Sequence, residues 1–310
     1  MRREAKANRE ASIKPVLGGH QTFTLRYGWL KKLYDYLCDD PELFQAEDAM
    51  VRLGVGKNMV ASMRFWGVAM QMIEPQARGR RYQPTDLAHR LLRDDGWDPY
   101  LEDTGTLWLL HGLLATNATN AYAWHMLFNH YRGAEVSVAQ LAEFLGQQLR
   151  LQGWNIPAAT LEREAECCLR TYRPPKSGGA RPSEDALASP LSALQLIDAL
   201  HDERRFLLER RERPSLPSAI LGYFLIHFWQ AHAPHRATLS IEECLYQPNS
   251  PGQVFKLRET ALLNLLEQLE RQTNGALSVD ETAGIQQVYR RAPIEPMKLL
   301  QAYYEGSEGE

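Results

Sequence analysis

The residues in this sequence best placed to do chemistry are donors that recognise rather than react. They sit in the run Ala46–Ile73, AEDAMVRLGVGKNMVASMRFWGVAMQMI. Lys57, Asn58, Ala61, Arg64 and Phe65 fall together on one side of a helical projection of it. Asn can pair with an adenine edge, Lys and Arg with guanine or phosphate, and Ala leaves room for a base. Shortly after comes Arg78-Gly79-Arg80-Arg81, a basic cluster able to enter a minor groove or contact its phosphates. The chemistry implied is non-covalent reading of double-stranded DNA by Lys57, Asn58, Ala61, Arg64, Arg78, Arg80 and Arg81.

Such residues need a rigid carrier. Gly54 stands where the turn of a helix-turn-helix requires a left-handed residue, and Val55 can plug the gap between the two helices. Val60, Met63, Trp66, Met70 and Ile73 form the inward stripe of the second helix. Met50 stands where a small residue is usual, with Ala49 one place away. Ile73-Glu74-Pro75, the basic loop, Tyr82-Gln83-Pro84 and Thr85–Leu92 then predict strand, loop, strand and closing helix, with Thr85 as its cap. That order is a winged helix.

Charge supports the same reading through its distribution. The whole chain carries a formal charge of −3. Yet the stretch from Arg52 to Arg93 holds eight bases (Arg52, Lys57, Arg64, Arg78, Arg80, Arg81, Arg90, Arg93) against two acids, Glu74 and Asp86. The next residues reverse this with Asp94, Asp95, Asp98, Glu102 and Asp103. Those acids could hold Mg²⁺ in a nuclease, but Asp98-Pro99 reads as a turn whose acids face water or pair with the wing arginines. His20 after Gly18-Gly19 reads as a local cap or packing residue, since no second ligand lies at metal spacing. His125 and His130 do not align on one helix face, and His227, His232 and His235 straddle a proline. Leu53-Gly54-Val55-Gly56-Lys57 lacks the spacing of a phosphate loop. Cys38, Cys167, Cys168 and Cys244 form no C-x-x-C pair and read as reduced thiols, the adjacent pair as core. No cofactor or metal is expected.

The chain of 310 residues, 44% of them hydrophobic, is long enough for two or three modules. Its apolar runs fall short of the ~20 residues that span a bilayer, and Met1–Arg9 precedes no secretory core. A cytoplasmic protein is expected. The sequence divides into a basic tail (1–15), a winged helix-turn-helix (16–93), a helical domain (94–173), a Pro- and Gly-rich linker (174–182) and a C-terminal domain (183–310). Helices are predicted over Thr24–Leu37, in Pro99–Tyr131 with a break near Asn117–Asn120, over Ser137–Tyr172 in two pieces, over Ser218–Ala231 and over 256–272. Leu277–Asp280 and Ile285–Tyr289 predict a hairpin. The fold class is mainly α. Lys256–Tyr289 has the makings of a second winged helix, although its few bases and leucine stripe favour protein interaction or dimerisation.

Four motifs carry a resemblance: Gly19-His20-Gln21-Thr22-Phe23, Arg26–Lys32, Arg52–Val60, and Asp98–Asp103 followed by Thr106–His111. Together they resemble an uncharacterised bacterial family whose genes lie beside phosphoadenosine-phosphosulfate-reductase-like enzymes in DNA phosphorothioation and phage-defence loci. Gly18 and Gln21 depart from that family's usual Ser and Glu. The resemblance implies a defence or DNA-modification setting, with that enzyme and other defence proteins as partners, and no known chemistry. Three functions remain open: a non-catalytic DNA-binding accessory subunit, a helical scaffold of the same system, and a metal-dependent nuclease.

Overall fold

A computed structural model describes residues 15–76, 79–173, 189–200, 204–282 and 285–307. The tail before residue 15, Arg78 and the linker 174–182 lie outside the described residues.

The first helix, α1 (Trp29–Asp39), starts later than the apolar spacing predicts because Gly28, at φ 76°, takes a left-handed turn that a helix cannot include. Its stripe of Trp29, Leu30, Leu33, Tyr34 and Leu37 is buried. Asp40-Pro41 ends it as expected. A short 3₁₀ turn (Leu43–Gln45) leads to α2 (Ala49–Leu53), which stops at Gly54 with φ 63° and ψ 32°. Lys32 Nζ donates to the Leu53 carbonyl at 3.1 Å, tying that corner to α1. Helix α3 (Lys57–Ala69) buries Val60, Met63 and Trp66, and Met70 and Ile73 beyond it continue the stripe. Strands β1 (Ile73–Gln76) and β2 (Arg81–Pro84) pair antiparallel with Ile73 opposite Pro84. Helix α4 (Asp86–Leu92) follows, its Ala88 N–H donating to the Thr85 hydroxyl at 3.2 Å.

Helices α5 (Thr104–Thr116) and α6 (Tyr122–Asn129) are buried on nearly every face, as their all-apolar sequences require. They form the centre on which the rest packs. Strand β3 (Glu135–Ser137) runs directly into α7 (Val138–Leu151), and α8 (Ala158–Tyr172) follows. Strands β4 (Asp198–Ala199) and β5 (Arg205–Leu207) complete a sheet of order β3-β5-β4. Helix α9 (Ser218–His232) begins the next segment. Strand β6 (Thr238–Ser240) runs directly into α10 (Ile241–Tyr246), and α11 (Pro251–Val254) and α12 (Glu259–Gln272) precede strands β7 (Leu277–Thr282) and β8 (Ile285–Arg290). This sheet has the order β6-β8-β7. Helix α13 (Pro296–Ser307) ends the described chain.

The two three-stranded sheets therefore share one plan: a strand, a run of helices (among the described residues, two α-helices after β3 and three after β6), then two strands of which the last takes the centre. The junctions match as well. Ser137 caps α7 in a reciprocal box with Gln140, and Ser240 caps α10 in one with Glu243. The N-terminal segment has two paired strands, and in place of a first strand the Pro41 carbonyl accepts one bond from Tyr82 N–H at 2.9 Å.

Core side chains before and after the 174–188 gap merge in one hydrophobic cluster. His111 of α5 sits wholly inside it, 2.8 Å from Tyr172 Oη of α8 and 3.0 Å from the Val254 carbonyl of α11. Gly112 lets α9 approach, since a Cβ there would collide with the Phe224 ring. No helix among the described residues is long and apolar enough to cross a membrane.

Candidate nucleic-acid interface

Helix α3 displays its outer face as the stripe dictates. Lys57, Asn58 and Arg64 are exposed and Ala61 is half-buried. Phe65 is a correction: the helical projection puts it with them, yet it is 7% exposed, edge-on to Trp66 at 5.2 Å and 5.9 Å from Trp124. The reason is tertiary. The loop from Val16 to Gly28 and helix α6 cover that flank of α3, and a helix drawn in isolation has no such cover.

Lys57 and Asn58 open α3 after Gly56, a cap without a side chain, and the first turn carries no acid. Helix N-termini attract anions through their unpaired N–H groups and the helix dipole. Neither side chain has a hydrogen bond or ion pair among the described residues. One turn on, the Arg64 guanidinium lies 5.8 Å from the centre of the Phe44 ring, which packs edge-on against Tyr82 of β2 at 5.1 Å. That stacking orients Arg64 and leaves its donors outward. Ala61 and Arg64 line a cleft of about 250 Å³ with Val16, Gly19, Phe65, Val68, Tyr82 and Asn120.

The hairpin places Arg80 and Arg81 at its exposed end. Arg81 Nε lies 3.2 Å from Glu42 Oε1 in a solvent-exposed pair, an interaction worth only ~0–1 kcal/mol and readily exchanged for a phosphate. Gln45 Nε2 donates to the Arg80 carbonyl, which fixes the hairpin to the 3₁₀ turn. Arg52 is committed elsewhere: it holds Asp40 at 2.6 Å, and this bond, then the Glu42 N–H, keeps the Asp40 carboxyl below its usual range.

The acidic run is engaged in structure. Asp94 pairs with Lys31 of α1 at 2.7 Å and Asp95 with Arg93; both acids are exposed, and among the described residues neither pairs with a wing arginine. Asp98 is buried and accepts the N–H groups of Glu102 and Asp103 at 2.9 and 3.0 Å. Asp103 caps α5 at Gly105 N–H and accepts from Tyr303 Oη at 2.8 Å. Among the described residues no three His, Cys, Asp or Glu side chains gather as metal ligands.

His20 is 1% exposed and accepts from Thr22 N–H at Nδ1, 3.0 Å away, the local packing expected of it. Sequence reasoning missed its partner. Nε2 lies 3.1 Å from Oε1 of Glu164, itself 2% exposed, and the same oxygen accepts the Gly18 N–H. The carboxylate that Gln21 does not supply comes from α8, and the only hint was an acid on that helix's apolar face. Cys167 and Cys168 are buried beside it, and burial pushes both thiols up, against any thiolate role.

Comparison with known proteins agrees across the chain. The profile of DUF4007, described as a protein of unknown function, matches residues 17–304. The magnesium ion-bound SspB crystal structure superposes with a TM-score of 0.85 at 28% identity, covering 95% of this chain and 89% of that one. A second SspB crystal structure gives a TM-score of 0.83 at 29% identity, with the same coverage. No curated protein matches the sequence.

Proposed function

Since this chain belongs to the DUF4007 family, we propose that it is a DNA-binding accessory subunit of a bacterial DNA-modification or phage-defence system. Helices α2 and α3 are its helix-turn-helix, β1 and β2 its wing, and α4 the closing helix. The observation that carries this reading is the outer face of α3: Lys57, Asn58 and Arg64 stand exposed beside a hairpin tipped by Arg80 and Arg81. The likeness to SspB supports the defence or modification setting. The role is non-catalytic, and protein partners such as a phosphoadenosine-phosphosulfate-reductase-like enzyme follow from the family resemblance. Lys57→Glu with Arg64→Glu should lower affinity for duplex DNA by about 100-fold, since each well-placed contact is worth ~1–3 kcal/mol. Equal binding by the variant and the parent in gel shifts at several salt concentrations ends this assignment.

A second reading, a magnesium-dependent nuclease, draws on the magnesium-bound form of SspB. The Asp94–Asp103 run does not fit that role here, because Asp98 and Asp103 spend their oxygens on backbone N–H groups and Tyr303. Cleavage of duplex DNA with and without Mg²⁺ separates the two readings.

A further inference from the structure

Lys256, between α11 and α12, has φ 52°, a left-handed conformation that side-chain-bearing residues rarely adopt. It turns inward, 5% exposed, and its Nζ donates to the Phe128 carbonyl at 2.7 Å. Gln253 lies beside it, donating to the Phe128 and Asn129 carbonyls at 3.0 and 3.1 Å. The Gln253 carbonyl accepts from Arg210, which also donates to the carbonyls of Gly252 at 2.7 Å and Leu257 at 3.2 Å. Arg210 lies 4.7 Å from the centre of the Tyr246 ring. Every one of these partners is neutral. From Phe128-Asn129 the chain continues through His130 and Tyr131 to the exposed Arg132, which has no hydrogen bond or ion pair among the described residues. The acid nearest in sequence, Glu135, is taken by Arg205 at 2.9 Å.

Buried cations are normally paired, because an uncompensated charge inside a protein is costly. We propose that Arg132, His130 and Arg210, backed by Lys256, form a receptor for a phosphate-class oxyanion where α6 meets the α11–α12 turn. The Arg132 guanidinium, unpartnered among the described residues, offers a two-donor fork that matches a tetrahedral oxyanion. Arg210 and Lys256, whose donors go largely to carbonyls, add positive charge behind it, and the anion supplies the negative charge that this cluster lacks. The phosphate could belong to a DNA backbone or to a free phosphate ester. The site is independent of the α3 face.

Burial, then Arg210 and Arg132, bring the Lys256 ammonium down to about 7. The other titratable groups facing it are His130, lowered by burial, Arg132 and Lys256, and His111, held at about 3 by burial. Both are neutral above pH 7, so Lys256 alone changes charge there. Sulfate, which does not titrate in this range, should therefore bind more weakly as pH rises from 7 to 9.

Calorimetric titration of the full chain with phosphate and with sulfate, at matched ionic strength against chloride, tests the site. Saturable binding is expected, weakened at least tenfold in Arg132→Gln and unaltered in Arg163→Gln, an exposed arginine of α8. Lys256→Met should flatten the pH dependence; because Arg132 is exposed, its variant keeps the test valid if Lys256→Met does not fold. Heat no larger than that of chloride, or equal affinity in Arg132→Gln, overturns the proposal. Displacement of phosphate by a short duplex identifies a backbone phosphate, and simultaneous binding identifies a free ester; both support the receptor.

Discussion

Residues 29–92 and residues 218–290 bury themselves by similar means and present opposite surfaces. Each packs a leading helix against shorter helices and a longer one that runs into an antiparallel hairpin, which α4 follows in the first segment. In the first, the helix before the hairpin, α3, contains no acid and shows Lys57, Asn58 and Arg64. In the second, α12 shows Glu259, Asn264, Glu267, Gln268 and Arg271, a face of mixed charge. The inward stripes, Val60, Met63 and Trp66 against Leu262, Leu265, Leu266 and Leu269, do the same physical task. The fold asks only for the stripe. What lies opposite it is free to vary, and so that is where a function can be written.

The sharpest test of the shared task is a core truncation in each segment. Trp66 is fully buried, donates to the Phe23 carbonyl at 3.0 Å and packs on Trp124 of α6; Trp229 is fully buried and donates to the Arg236 carbonyl at 3.0 Å. Trp66→Ala and Trp229→Ala should each cost ~3–5 kcal/mol in denaturant unfolding. Since both segments join one core, each variant should unfold in a single shifted transition. Two separate transitions would break the comparison.

The contrast in surface predicts a smaller effect. Arg80→Ala with Arg81→Ala should lower DNA affinity about tenfold and reduce the slope of log K against log salt by about two, at ~0.9 per phosphate contact. Glu259→Ala with Glu267→Ala on α12 should leave both quantities within error. An unchanged slope in the arginine variant removes the hairpin from the interface.

Smallest is the difference between caps. Thr85→Ala and Ser240→Ala should each cost ~1 kcal/mol of stability. The second should also change the acid limb. Arg236 foremost, with the Ser240 N–H and hydroxyl and His232, holds the Glu243 carboxyl at about 2 against an ordinary 4.5. A depressed carboxyl stabilises the fold above its unfolded value and loses that contribution as pH falls through the folded one. Unfolding followed from pH 5 to pH 2 should therefore show the loss in the parent and less of it in Glu243→Gln. Equal curves would mean that the box does not hold the charge.

Some of this was legible in the residues. Gly54 marked its turn because only glycine takes that backbone at no cost, and Thr85 and Ser137 marked their caps because their hydroxyls are the right length. The closing hairpin showed itself by alternation. Strands β3 and β6 did not: three residues each, they are too short to alternate, and they exist because β5 and β8 offer an edge to pair with. Phe65 was misplaced for a similar reason, its cover coming from α6 and the loop before α1.

By itself the sequence determined the periodic helices, their caps and the clustering of basic residues, because these depend on neighbours within a turn or two. Only the tertiary structure decided that Glu164 meets His20, that Asp94 meets Lys31, and that Lys256 meets the Phe128 carbonyl. Those pairings join residues far apart in the chain, and their energies depend on burial, which no local pattern encodes.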